Sequence, residues 1–108
     1  MRQMRIALAF LLAGTVWGQE YRGTFTGSIT DPQGSVIPGA KVITTERRTG
    51  VKSNATSGQT GAYAFRFLPP GEYEISAEAR GFKRFVRTGL TLSGGESPII
   101  DIRLEIGA

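Results

Sequence analysis

The chain has 108 residues, a formal net charge of +4, and neither histidine nor cysteine. These two absences exclude disulfides, zinc sites built from His and Cys, and catalytic Ser-His or Cys-His pairs. A chain of this length encloses one modest core, so we expect a single domain. Ser-Lys pairs remain formally possible, but Lys41, Lys52 and Lys83 occupy strand-like polar positions without a serine motif. We therefore expect a protein that is not an enzyme and holds no metal or cofactor.

The first eighteen residues predict an export signal. Arg2 and Arg5 precede an apolar stretch over 6–12, and a plausible cleavage point follows before Gln19. The apolar stretch is shorter than the ~20 residues that a membrane-spanning helix needs. We therefore expect a signal-peptide helix within 1–18, an exported domain over 19–108 with a net charge of +2, and no transmembrane span after cleavage.

Alternating apolar and polar residues after the signal predict seven or so short β-strands. The candidate strands are 23–30, 40–46, 51–57, 63–67, 72–79, 82–88, 90–92 and 99–106. Asp31 begins a predicted type I turn, and the prolines Pro69 and Pro70 must connect two strands because they cannot both serve a central ladder. The turn spacing, without any helical period after the signal, predicts an all-β, antiparallel sandwich.

The two clearest runs flank the proline pair and define a predicted core. We expect the alternating aromatic residues of these runs to be buried rather than to bind a ligand. They are Tyr63, Phe65, Phe67 and Tyr73. In the second run Ile75, Ala77 and Ala79 share the inward face with Tyr73, whereas Glu72, Glu74, Ser76 and Glu78 face outward. The last strand candidate would bury Ile100, Ile102, Leu104 and Ile106.

One basic cluster follows the second run and consists of Arg80, Lys83, Arg84 and Arg87. Such a cluster could meet nucleic-acid or lipid phosphate. A hairpin turning at 80–81 would instead place Glu78 opposite Lys83 and Glu74 opposite Arg87. We therefore expect mutual neutralisation and no nucleic-acid partner.

Five motifs in order carry a family resemblance: Gly27–Gly34, Ile37–Val42, Thr60–Phe65, Leu68–Tyr73 and Glu78–Phe82. From about Gly23 to Ile106 the chain resembles the carboxypeptidase regulatory-like domain. This resemblance implies a transthyretin-like sandwich, grouped with carbohydrate-binding-like folds. A signal followed directly by this domain is also similar to the N-terminal extension of TonB-dependent outer-membrane receptors, which continue into a plug and a barrel.

The resemblance implies an exported accessory or interaction domain, in the periplasm or associated with the outer membrane. Its partner would be an envelope protein or a receptor barrel, bound through strand or loop contacts. The alternative is a free-standing carbohydrate-binding module, whose sugar-stacking residues would be Tyr21, Phe82 and Phe85 outside the core. For a truncated receptor, we expect the DNA downstream of codon 108 to encode a plug and barrel strands.

Overall fold

The computed structural model describes residues 22–107, so the predicted signal and Tyr21 lie outside the described residues. Seven strands follow in order: β1 Gly23–Thr30, β2 Lys41–Glu46, β3 Lys52–Thr56, β4 Ala62–Leu68, β5 Gly71–Glu78, β6 Phe85–Leu92 and β7 Ile102–Arg103. One sheet has the order β4-β1-β7 and the other the order β3-β2-β5-β6. The predicted all-β sandwich is confirmed.

Within residues 22–107, no helix has the length and apolar character needed to cross a membrane.

Four of the strand pairs are antiparallel, as predicted: β1 with β4, β2 with β3, β2 with β5, and β5 with β6. The exception is β7, which pairs with β1 in parallel through Ile29 with Ile102 and Thr30 with Arg103. Parallel pairing requires a crossover rather than a tight hairpin. The chain accordingly leaves β6 in the four-stranded sheet and returns to the other sheet as β7.

The segment after β7 explains why the last strand is shorter than predicted. The Leu104 amide still donates to the Thr30 carbonyl at 2.8 Å, but the next hydrogen bond runs from the Lys83 amide to the Glu105 carbonyl, also at 2.8 Å. Residues 104–106 therefore cross from β1 to the turn between β5 and β6. Ile106, predicted to be buried, is 61% exposed, because this segment has left the edge of β1 and Ile106 bridges to Phe82 instead.

Most of the predicted inward face is buried, and it forms one core between the sheets. Phe25 of β1 and Tyr73 of β5 meet edge to face across the sandwich, with ring centroids 5.5 Å apart. Pro69 and Pro70 lie between β4 and β5, as predicted, and carry the chain from one sheet to the other. Ser76 was expected to face solvent but is buried, because it is a small residue in a central strand between β2 and β6.

Phe67 corrects the core prediction, because its side chain is 74% exposed. Gly23 pairs with Leu68 while Phe25 pairs with Phe65, so two residues of β4 lie opposite Thr24 alone. Such a β-bulge moves the following residues to the other face. Leu68 therefore takes the inward position, and Phe67 is held in the left-handed region with a φ of 60°.

A second bulge lies inside β6, where the sequence predicted a break between two strands. Tyr73 pairs with Leu90 and Ile75 with Arg87, so Thr88 and Gly89 lie opposite Glu74 alone. Gly89 has a φ of 74°, which glycine adopts without the steric cost of a β-carbon. The strand thus continues through the glycine.

Candidate functional site

The three aromatic residues predicted to contact a ligand occupy different places. Tyr21 lies outside the described residues. Phe82 and Phe85 are half-buried, and both pack against the core. Phe82 precedes β6 and bridges to Ile106, whereas Phe85 lies within β6 opposite Ala77. The structure therefore does not display either ring as a free, flat platform, and their role as ligand contacts stays a prediction.

A surface groove of about 420 Å³, here called the basic groove, lies beside the turn between β5 and β6. Its lining residues are Gly39, Lys41, Glu78, Ala79, Arg80, Phe82 and Arg84. The turn is closed by a 3.0 Å hydrogen bond from the Phe82 amide to the Ala79 carbonyl. This bond fixes the backbone of the connection that carries Phe82, so one predicted ligand residue lies at the groove.

The single carboxylate of the basic groove already has two cationic neighbours. Glu78 Oε2 is 3.6 Å from Arg84 Nε, and Lys41 pairs with Glu78 in the β2–β5 ladder. The prediction that Lys83 lies opposite Glu78 is wrong by one residue, because the partner is Arg84. Because Ala77 pairs with Phe85, the register places Arg84 beside Glu78.

The other predicted ion pair is also absent, because the bulge in β6 shifts the register. Arg87 pairs with Ile75, and Glu74 faces the bulged Thr88 and Gly89. Among the four cations of the cluster, Arg84 is the only one with a carboxylate oxygen within 4 Å in the described part of the chain. The expected neutralisation of the basic cluster is therefore wrong for most of its members.

The second candidate surface is the outer edge of β6. β6 lies at the end of the four-stranded sheet and pairs only with β5. Across residues 22–107, no hydrogen bond reaches the edge of β6 that faces away from β5. Val86 on this strand is 45% exposed, and Arg87 and Thr88 are exposed. This edge leaves backbone N–H and C=O groups available to another strand.

Sequence reasoning predicted neither the bulge at Phe67 nor the bulge at Gly89 in β6, although each bulge has a signal in the sequence. Phe67 and Leu68 are adjacent apolar residues, which interrupts the period of two. Gly89 is an isolated glycine inside an alternating run, and that pattern favours a bulge over a strand end. In residues 22–107, no group of three or more His, Cys, Asp or Glu side chains is arranged to hold a metal ion.

A family model described as the carboxypeptidase regulatory-like domain matches residues 24–105. That range takes in all seven strands apart from Gly23. None of the curated proteins matches the sequence significantly.

Solved structures share the fold at low sequence identity. The Bacillus anthracis TIE protein superimposes with a TM-score of 0.68 at 21% identity, over 81% of this chain and 17% of that one. A candidate carbohydrate-binding protein from Bacteroides uniformis gives a TM-score of 0.63 at 18% identity, over 77% of this chain and 41% of that one. Catechol 1,2-dioxygenase from Acinetobacter radioresistens gives a TM-score of 0.66 at 12% identity, over 83% of this chain and 53% of that one.

The chain spans about half of the dioxygenase, less than half of the Bacteroides uniformis protein and 17% of the TIE protein. At such identities the likeness is one of fold. One sandwich fold supports many unrelated functions, so the dioxygenase match carries no activity to this chain.

Proposed function

The chain belongs to the carboxypeptidase regulatory-like domain family, and on that premise we propose that it is a non-enzymatic, exported interaction domain. It binds an envelope protein by accepting a strand at the outer edge of β6. The observation that carries this proposal is the edge itself, whose hydrogen-bonding groups have no partner among the described residues.

Strand addition suits the exposed part of β6 for two reasons. An added strand gains main-chain hydrogen bonds along the edge, and alternate side chains supply specificity. The bulge at Gly89 interrupts the regular edge, which restricts an added strand to the stretch from Phe85 to Thr88. A short, interrupted edge also limits indiscriminate pairing between copies of the chain.

The export part of the proposal rests on the signal pattern that begins with Arg2 and Arg5. We propose that the domain is related to the N-terminal extension of a TonB-dependent outer-membrane receptor and resides in the periplasm or at the outer membrane. Its partner is then an envelope protein or a receptor barrel. Intact-mass measurement of the chain from an envelope fraction is expected to give a protein that begins at or near Gln19. A mass that retains Met1 would contradict export by cleavage.

Two features of the residue chemistry support the non-enzymatic part of the proposal. The sequence contains no histidine or cysteine to act as a general base or nucleophile. The described carboxylates form no metal-binding group.

Site-specific photo-crosslinking tests the proposed edge. A photoreactive side chain at Val86 or Arg87 is expected to label one defined envelope protein in intact cells. The matched control is Asn54, an exposed position on β3 at the opposite end of the same sheet. Equal labelling from Asn54 and from the β6 positions would contradict the proposal.

The alternative function is a carbohydrate-binding module, and the basic groove with Phe82 favours it. The fold is shared with the candidate carbohydrate-binding protein from Bacteroides uniformis. Glycan-array binding that is lost in Phe82→Ala or Phe85→Ala would support the module. An absence of glycan binding together with β6-specific labelling would support the interaction domain.

A further inference from the structure

The basic groove keeps most of its positive charge, and we propose that it binds an anionic saccharide, such as an oligosaccharide of uronic acids. This inference rests on the carbohydrate-binding alternative and is independent of strand addition at β6. It goes beyond that alternative because it names the charge class of the sugar and the residues that select it.

The charge of the groove is the first step. Lys41, Arg80 and Arg84 line it, with Glu78 as the only carboxylate in the lining. Glu78 is already beside Arg84 and Lys41, whereas Arg80 has no carboxylate oxygen within 4 Å among the described residues. The guanidinium of Arg80 is therefore available for a paired hydrogen bond to a carboxylate, the geometry that arginine favours.

The aromatic residue of the groove is the second step. Phe82 is half-buried against the core, and its backbone is held by Ala79 on one side and by Ile106 on the other. A side chain that already packs against the core loses little conformational freedom when a ligand packs against its exposed part. Sugar rings have apolar C–H faces, so a partly exposed phenylalanine beside cationic groups suits a saccharide that carries negative charge.

The shape and composition of the groove favour an anionic saccharide over nucleic acid and over a lipid surface. The groove is an open surface feature of about 420 Å³, so an oligosaccharide would lie along it rather than enter it. Nucleic-acid binding depends on many phosphate contacts along a basic stripe, whereas this groove is lined by only three cations, Lys41, Arg80 and Arg84. A lipid surface needs large exposed apolar groups to insert, and Phe82 is the only large apolar residue in this lining.

Calorimetry with the exported chain provides the test, with hexagalacturonate as the anionic probe and cellohexaose as the neutral probe. We expect binding of hexagalacturonate that weakens as salt rises, and no binding of cellohexaose. Arg80→Gln is expected to weaken binding about tenfold, because one charge-assisted pair is lost. Phe82→Leu keeps an apolar side chain on the core and is expected to weaken binding about fivefold.

The matched control is Arg66→Gln, which removes the same charge from an exposed position on β4, away from the groove. It is expected to leave hexagalacturonate affinity unchanged. Equal losses in Arg66→Gln and Arg80→Gln, equal binding of both sugars, or tighter binding of a single-stranded oligonucleotide would each overturn the proposal. Because Arg80 is exposed, an unchanged thermal unfolding midpoint in Arg80→Gln separates lost binding from lost folding. Photo-crosslinking from β6 should be unaffected in that variant, so the two proposals fail separately.

Discussion

The carbonyl oxygen of Ile100 occupies the space that a β-carbon on Gly27 would fill. The same oxygen accepts a hydrogen bond of 2.5 Å from the Tyr63 hydroxyl. Gly27 belongs to β1 and Tyr63 to β4, so both strands fix the segment that leads into β7. The contact helps to hold β7 on the three-stranded sheet, because β7 itself pairs over only two residues.

Gly27→Ala is expected to destabilise the fold by about 1–3 kcal/mol, because the new methyl group meets backbone atoms that cannot rotate away. The matched control is Gly58→Ala, whose β-carbon would come no closer than 4.0 Å to another group, the Ala62 carbonyl. That control is expected to change the unfolding free energy by less than about 0.5 kcal/mol. Urea denaturation measures both values, and a control that loses as much as Gly27→Ala would contradict the close approach.

The Tyr63 hydroxyl also predicts a pH dependence at high pH. Burial, assisted by the negative charge of Asp101 and opposed by Arg87, raises the pKa of Tyr63 from 10.0 to about 12. A pKa that is raised in the folded state gives stability that is fully present below pH 10 and is lost as pH rises toward 12. Between pH 9 and pH 12, the parent protein is expected to lose about 2 kcal/mol more unfolding free energy than Tyr63→Phe.

Denaturant titrations of both proteins at matched pH values measure this difference. Tyr73 has a raised pKa as well, but it is present in both proteins and cancels in the comparison. Parallel pH profiles for the parent and Tyr63→Phe would contradict the assignment.

Phe67 and Phe65 are expected to respond oppositely to truncation. Phe65 is 4% exposed, so Phe65→Ala is expected to cost about 3–5 kcal/mol. Phe67→Gly relieves a left-handed backbone conformation worth about 1–2 kcal/mol, offset by about 0.5–1 kcal/mol of glycine entropy. It is therefore expected to be neutral or to stabilise by about 1 kcal/mol. A large loss of stability in Phe67→Gly, measured by thermal unfolding, would show that its ring contributes to the core after all.

The fold was largely predictable because its strands follow the period of two. β1 has the predicted bounds, and the inward residues of β5 are buried because the pattern there is uninterrupted. The errors at Phe67 and in the register of Arg87 lie at the two bulges, whereas those in the last strand come from its parallel pairing with β1. A bulge depends on how many residues the partner strand supplies, and that number is a property of the pairing rather than of either strand alone.

The candidate site was less predictable for the same reason. The opposed charges of Glu74 and Arg87 were read from a hairpin of constant register, which the bulge at Gly89 breaks. The groove beside Phe82 brings together residues that are distant from each other in sequence, Lys41 and Arg84. The periodicity of a single strand does not indicate which residues of distant strands lie side by side in the fold.

The central claim is that an envelope partner adds a strand to β6, and a pair of proline substitutions tests it most directly. Consecutive residues of an edge strand direct their amides alternately to the neighbouring strand and to the open edge. Of Val86→Pro and Arg87→Pro, one therefore removes a ladder bond to β5, and the other removes only an open-edge donor. We expect the variant that removes a ladder bond to lose stability. The variant that removes only an open-edge donor is expected to stay folded and to lose capture of the crosslinked envelope protein. A folded proline variant that captures this protein as well as the parent does would contradict strand addition.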